Sequence, residues 1–254
     1  MQANLMDWKG VMKEKPLFGC FVTYPLADIA ELTAAIGFDF LLIDNEHGIM
    51  THNTLCDMVR ASQGLGVPAV VRCTSNNYEH VQKALDMGAN GVQVPLVNTV
   101  EDAKRLVRLS HFAPIGQRGT AYLPRSASYG MVEDKCEYRA LANRVKLTAA
   151  HIETMEAVAN LDDILKVDNI DVFFIGPGDL SSSMNLPGDD PRVKATIKEC
   201  IQKIVAAGRI AGTYVGTPEY TKEVISWGAH YLVTAINSYM VSGGKAYLKA
   251  VRGE

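Results

Sequence analysis

The stretch Ile36-Gly37-Phe38-Asp39-Phe40-Leu41-Leu42-Ile43-Asp44 decides the fold, because a helix with apolar spacing ends at a glycine and the chain passes at once into an apolar strand closed by a carboxylate. Glycine takes the left-handed conformation of a helix C-cap without steric cost. The same punctuation returns at Met87-Gly88-Ala89 before Gly91-Val92-Gln93-Val94-Pro95. It returns again at Trp227-Gly228-Ala229 before His230-Tyr231-Leu232-Val233-Thr234-Ala235. What repeats is a structural junction more than a sequence.

Working outward from these junctions, and after an expected N-terminal helix, apolar runs predict strands near 17–23, 38–44, 68–72, 90–94, 145–153, 171–176, 210–215 and 230–235. Helical patterning follows them, over 27–36, 54–62, 79–87, 100–109, 155–167, 191–207, 218–227 and 238–251. Strict alternation implies parallel strands joined by crossover helices. Eight such units predict an α/β chain folded as one (β/α)8 TIM barrel over residues 1–254. An open doubly wound sheet is the competing architecture, but no GxGxxG follows the first strand and the candidate polar residues come from several strands. His111 to Asn143 reads as a long non-repetitive insertion, a functional or subunit-contact element.

The 254 residues, 48% hydrophobic and 21% charged with a formal net charge of -3, give no electrostatic case for nucleic acid. Met1 to Lys15 mixes charges with short apolar pieces, unlike a signal peptide, and no stretch approaches the apolar length of a membrane span. Five cysteines without close pairs argue against a structural zinc site or a disulfide framework, so the expectation is a cytoplasmic protein with reduced thiols.

In barrels of this type, chemistry collects at the C-terminal ends of the strands. Strand two ends Asp44-Asn45-Glu46-His47, strand three ends at Arg72, strand five ends at Glu153, and strand six runs into Gly176-Pro177-Gly178-Asp179. Glu153 and Asp179 offer oxygen ligands for a hard divalent cation, with a salt bridge or, for Asp179, a helix cap as the plainer alternative. Arg72 offers fixed donors for a carboxylate or enolate oxygen, against a structural salt bridge across the mouth. His47 is a candidate general base, oriented by Asp44 or Glu46, where a solvated loop histidine is the alternative. His151 shares the strand parity of Glu153 and reads as a core histidine or as part of the pocket floor. Cys20 and Cys73 could border the pocket. Lys146 stands at the start of strand five, the wrong end for Schiff-base chemistry, so metal-assisted chemistry is preferred.

Five motifs in order, Phe38 to His47, Pro95-Leu96-Val97-Asn98-Thr99, Pro114-Ile115-Gly116-Gln117-Arg118-Gly119, His151-Ile152-Glu153-Thr154 and Phe174 to Ser181, closely resemble the HpcH/HpaI family of class II, metal-dependent pyruvate aldolases. The resemblance implies a barrel assembled as a homo-hexamer, a trimer of dimers, with the last helix, about 238–251, exchanged between subunits. It implies metal ligands Glu153 and Asp179, with Mg2+ or Mn2+ and possibly Co2+ as the cation and no organic cofactor. It makes Arg72 the contact to the pyruvyl oxygen, His47 with Asp44 nearby the base, and the Gly178 and Asp179 amides the carboxylate site. Asp86 matches a position that reaches a neighbouring subunit's site. The expected substrate contacts are Arg72, Gly178, Asp179, His151, Phe21 and Val215. This chain departs from the family at Asn45, where glycine is frequent, at His151, where glutamine is frequent, and at Phe21, where tryptophan is frequent.

The expected activity is reversible cleavage of a 4-hydroxy-2-oxo acid to pyruvate and an aldehyde, with small oxo acids and aldehydes as the partners. A CoA-thioester lyase of the citrate or malyl-CoA type, a non-catalytic oxo-acid-binding protein and a phosphate-binding isomerase are the alternatives.

Overall fold

The computed structural model describes residues 8–253; the part of the expected N-terminal helix before Trp8 lies outside the described residues. Its strands are β1 (Leu17–Val22), β2 (Phe40–Asp44), β3 (Ala69–Arg72), β4 (Gly91–Val94), β5 (Leu147–Ile152), β6 (Val172–Ile175), β7 (Ile210–Tyr214) and β8 (Tyr231–Ala235). They pair in parallel and in chain order, and β8 closes on β1 to complete the barrel. Each lies inside the span expected from its apolar run. Gly37, Gly88 and Gly228 have φ of 106°, 94° and 98°, so the repeated glycine does terminate a helix in the left-handed conformation.

Alternation along the strands divides the core into two layers. Leu42, Val70, Ala149, Phe174 and Val233 point into the barrel, while Ile43, Val71, Ala150, Ile175 and Leu232 point outward under the helices. The N-terminal end of the lumen is closed by rings: Tyr231 stacks on Phe40 with centroids 4.5 Å apart, and Trp8 lies 5.6 Å from Phe40. Gly212 makes room for this plug, since a Cβ there would stand 2.7 Å from the Tyr231 carbonyl oxygen. With apolar rings filling one end, the inward polar residues Asp44, Arg72, Gln93 and His151 gather toward the other.

The helices are α1 (Val11–Glu14), α2 (Ala27–Ile36), α3 (His52–Gly64), α4 (Tyr78–Asp86), α5 (Val100–Ser110), α6 (Lys135–Val145), α7 (Met155–Ala159), α8 (Leu161–Ile164), α9 (Pro177–Ser183), α10 (Pro191–Ala206), α11 (Pro218–Ser226) and α12 (Ile236–Arg252). The insertion expected over 111–143 is more regular than its sequence suggests. It contains a 3-10 segment, Arg125–Gly130, and α6, whose start is capped by the Asp134 carboxylate accepting from the Cys136 and Glu137 amides. Because it joins the end of α5 to the start of β5, it lies at the N-terminal face of its own barrel. The single helix expected over 155–167 breaks at Asn160 into α7 and α8. Beyond Ile236, α12 leaves the barrel: Met240, Val241, Tyr247, Leu248 and Val251 are all exposed. No described helix is long and apolar enough to cross a membrane.

Candidate active site at the barrel mouth

Asp44 and Arg72 end adjacent strands and stand opposite each other in the β2–β3 register, so both side chains enter the mouth side by side. Arg72 donates through Nε to Asp44 Oδ1 at 2.9 Å and through Nη2 to Oδ2 at 2.7 Å, a planar fork meeting a planar carboxylate. The guanidinium carbon lies 4.7 Å from the centroid of the Phe21 ring, so a π face covers one side of the cation. Burial pushes the Asp44 carboxyl up, but the bond and charge of Arg72 and the Glu46 and His47 amides outweigh it and hold the group below the ordinary range.

Asp44 therefore does not orient the His47 ring. It accepts from the His47 backbone N–H at 3.3 Å and the Glu46 N–H at 3.1 Å, and so shapes the loop that carries both residues. The His47 side chain is 64% exposed, and its Nε2 lies 3.9 Å from Glu46 Oε2. That oxygen is buried and lies 3.0 Å from Arg72 Nη1 without hydrogen-bond alignment. Burial, only partly offset by Arg72, His151 and His47 and reinforced by the Glu153 charge, raises the Glu46 carboxyl above its usual value. The neighbouring acids Asp44 and Glu46 are thus pushed in opposite directions.

Glu153 follows β5 directly and is 2% exposed. Its Oε1 accepts from the Leu96 amide at 2.8 Å, and its Oε2 accepts from His151 Nδ1 at 2.6 Å. Leu96 has φ of 54°, a left-handed non-glycine residue whose backbone conformation aims that amide at the carboxylate. Burial raises the Glu153 carboxyl, but His151, the Leu96 amide and Arg72 together lower it overall, so it is an anion near neutrality. Gly176 leaves room for it, because a Cβ there would sit 2.7 Å from Glu153 Oε2.

The Gly176-Pro177-Gly178-Asp179 turn opens α9, with Pro177 at its first position. Gly178 and Asp179 are exposed. Asp179 does not cap the helix: Gly176 holds the cap position, and among the described residues the Asp179 carboxylate accepts no hydrogen bond. Among the described residues, no set of three or more His, Cys, Asp or Glu side chains groups as a metal cage. Two carboxylates from neighbouring strand ends nevertheless fit a hard cation that keeps part of its water shell. The donor chemistry agrees, because Glu153 is ionised, Asp179 is uncommitted and a buried Glu46 oxygen without a hydrogen bond stands nearby.

The remaining expected residues separate. Phe21 lines the inner face beneath Arg72, with its ring 6.3 Å from Phe174. Val215 is buried in the outer layer, beside a cavity of about 240 Å³ shared with Phe18, Phe38, Thr217, Leu232 and Tyr239. Alternation gives the inward place at this end of β7 to Tyr214, one residue earlier, whose hydroxyl lies 3.3 Å from Ser238 Oγ. Cys20 and Cys73 also belong to the outer layer, and burial pushes both thiols up to about 12. Asp86 ends α4, far along the chain from its own barrel mouth, and accepts from Arg118 Nη2 at 2.9 Å and Gln82 Nε2 at 2.7 Å.

Two residues of the inner layer were not singled out from the sequence. Gln93 on β4 places its amide nitrogen 2.5 Å from His151 Nε2, and Tyr231 on β8 donates its hydroxyl to Gln93 Oε1 at 3.0 Å. A lone amide within Gly91-Val92-Gln93-Val94 was the available signal for the first. The second reads as an ordinary core aromatic.

Comparison with known proteins places this geometry among relatives. Residues 17–242 match the family model described as HpcH/HpaI aldolase/citrate lyase. A 2-keto-3-deoxy-L-rhamnonate aldolase of Klebsiella pneumoniae subsp. pneumoniae is 34% identical over 235 residues, covering 91% of this chain and 87% of that protein. The protein of the same name from Salmonella typhi is 32% identical over the same shares. The crystal structure of an HpcH/HpaI aldolase/citrate lyase family protein from Burkholderia cenocepacia J2315 superposes with a TM-score of 0.90 at 27% identity, covering 96% of this chain and 98% of that one.

Proposed function

The chain belongs to the HpcH/HpaI aldolase/citrate lyase family, and from that premise we propose that it cleaves a 4-hydroxy-2-oxo acid of the 2-keto-3-deoxy sugar-acid type into pyruvate and an aldehyde, reversibly. It is an enzyme, a carbon-carbon lyase of the class II aldolase kind. Relatives named as 2-keto-3-deoxy-L-rhamnonate aldolases favour this over a CoA-thioester lyase.

The observation that carries the reading is the convergence of a clamped guanidinium and an ionised carboxylate. Arg72 is fixed by Asp44, and its charge reaches Glu153 across the mouth. In the proposed mechanism, Glu153 and Asp179 would hold a divalent cation, Mg2+ or Mn2+ and possibly Co2+, which supplies Lewis-acid polarisation of the 2-oxo group. Asp44 engages two of the five guanidinium N–H groups, so Arg72 retains donors for the oxygen that gains charge as the carbon-carbon bond breaks. The Gly178 and Asp179 amides, in the first turn of α9, would receive the substrate carboxylate. His47, exposed at the rim, would take the 4-hydroxyl proton through a water. Phe21 holds the arginine in place and borders the aldehyde side.

The proposed assembly is a hexamer, a trimer of dimers that exchanges α12. What supports it is the apolar stripe of Met240, Val241, Tyr247, Leu248 and Val251, which is exposed and finds no cover among the described residues. In such an assembly Asp86 would serve a neighbour's site, since it lies at the far end of its own barrel.

The test is a coupled pyruvate-release screen over 2-keto-3-deoxy acids of differing length and hydroxylation, with and without added divalent cation. Metal-dependent pyruvate release from at least one of them is expected. Metal and oxalate binding without turnover across the panel would leave an oxo-acid-binding protein instead.

A further inference from the structure

Tyr231, Gln93, His151 and Glu153 form one continuous hydrogen-bonded chain from β8 through β4 to the end of β5. The links are Tyr231 Oη to Gln93 Oε1 at 3.0 Å, Gln93 Nε2 to His151 Nε2 at 2.5 Å, and His151 Nδ1 to Glu153 Oε2 at 2.6 Å. Tyr231, Gln93, His151 and Glu153 are each no more than 2% exposed, so water does not share these contacts. The His151 ring is further held by stacking on Phe174, with centroids 4.8 Å apart and planes at 26°.

The direction of every link follows from its neighbour. A carboxylate only accepts, so His151 must donate from Nδ1 to Glu153. In the neutral ring Nε2 is then the acceptor, so Gln93 must present its NH2 group there and turn its oxygen toward Tyr231. Tyr231 in turn donates. With the ring neutral, one tautomer, one amide orientation and one hydroxyl rotamer satisfy the whole chain, and no buried polar atom in it is left without a partner among the described residues.

We propose that His151 is a positioning residue that acts on Glu153 and not on the substrate, and that Tyr231 and Gln93 set the tautomer that lets it do so. Both ring nitrogens are committed, which leaves no group for a ligand in the mouth. With Oε2 held by His151 and Oε1 by the Leu96 amide, the Glu153 carboxylate cannot rotate, and its remaining lone pairs face one direction. A group that orients a liganding carboxylate in this way typically changes metal affinity about 10–100-fold when removed. The chemistry also accounts for the departure at position 151. A glutamine has one donor and one acceptor at its tip, as this histidine tautomer does, so either residue can bridge Gln93 to Glu153.

The inference rests on Glu153 being a metal ligand. It is tested by titrating Mn2+ into the metal-free full-length assembly, with free Mn2+ read by electron paramagnetic resonance and the fold checked by circular dichroism. His151→Leu should weaken Mn2+ binding about tenfold or more, His151→Gln should restore it to within about threefold of the starting protein, and Tyr231→Phe should weaken it by a smaller factor. Tyr231→Phe should add nothing once His151→Leu is present, because the chain is already cut. Unchanged Mn2+ affinity in His151→Leu, or independent additive losses from the two substitutions, would overturn the proposal. Should His151→Leu fail to fold, Tyr231→Phe and His151→Gln carry the test: wild-type affinity in the first, or a tenfold loss in the second, overturns it. Glu153→Gln separates the two levels. Unchanged binding there removes the metal reading and this inference with it, whereas lost binding there alongside unaffected His151→Leu removes this inference alone.

Discussion

Asp44 and Arg72 occupy the same rung of the β2–β3 ladder and meet in a two-pronged ion pair at 2.7 and 2.9 Å, nearly closed off from solvent. Two charges in so dry a place depend on each other. Arg72→Ala should lower pyruvate release by about a hundredfold or more, through loss of a donor aimed at developing charge. Arg72→Lys should rescue little, because an ammonium cannot reproduce the fork. Turnover within a factor of a few of wild type in either variant would take Arg72 out of the chemistry. Asp44→Asn removes the charge of the two-pronged partner, leaves Arg72 only the unaligned Glu46 carboxylate, and should cost up to about 3–5 kcal/mol in urea unfolding at fixed protein concentration.

Chelation should abolish pyruvate release, and Mg2+ or Mn2+ added back should restore it. The ligands proposed, Glu153 and Asp179, are oxygen donors from two strands, and a hard cation held by two carboxylates is removed by a strong competitor. Full activity in excess chelator at steady state would sink the metal assignment.

His111, the C-cap residue of α5, is 3% exposed, and its Nδ1 lies 2.9 Å from Ser110 Oγ. Burial, with the charges of Lys9 and Arg118, pushes it from 6.5 to about 4. Well above pH 6.5 the ring is neutral folded or unfolded and contributes no pH dependence. As the pH falls toward 4 the unfolded chain takes up a proton that the folded chain refuses, so stability is lost across that window, by about 3 kcal/mol at its lower end. Urea midpoints at pH 7 and pH 4.5 should show a smaller acid loss in His111→Gln than in wild type. Equal losses would mean that the ring is protonated in place.

Removing residues 238–251 should lower the mass of the assembly measured by light scattering and leave the barrel's circular dichroism in place. The exposed stripe on α12 has no partner among the described residues, so its loss costs the barrel little. An unchanged assembly mass would dismiss α12 as the exchanged element.

How far the sequence carried this reading depends on what kind of signal each residue leaves. Buried parallel strands are short apolar runs bounded by glycine, which is why Phe40–Asp44 and Tyr231–Ala235 fall inside their expected spans. The helix α6 was hidden because its buried positions, Tyr138, Ala142 and Val145, make a thin stripe in a segment otherwise read as a loop. Side-chain parity was legible for His151 and Glu153, which lie two apart at the end of β5 and just beyond it. At the end of β7 the resemblance pointed to Val215, whereas alternation puts Tyr214, one residue earlier, in the inner layer. The pairing of Asp44 with Arg72 instead of with the His47 ring, and the reach of Tyr231 through Gln93, depend on neighbouring strands and so on barrel closure. No local pattern records them.

The Leu96 amide bears on how this mouth tolerates change. It supplies one of the two hydrogen bonds to Glu153 from the main chain, and its own side chain is 55% exposed. Position 96 can therefore drift through most side chains while the donor stays in place. The substitutions to avoid are proline, which has no N–H, and β-branched residues, which resist a left-handed backbone. A saturation library at this codon, scored for activity, would be nearly flat apart from those few residues, so part of the machinery would leave no trace in a list of essential side chains.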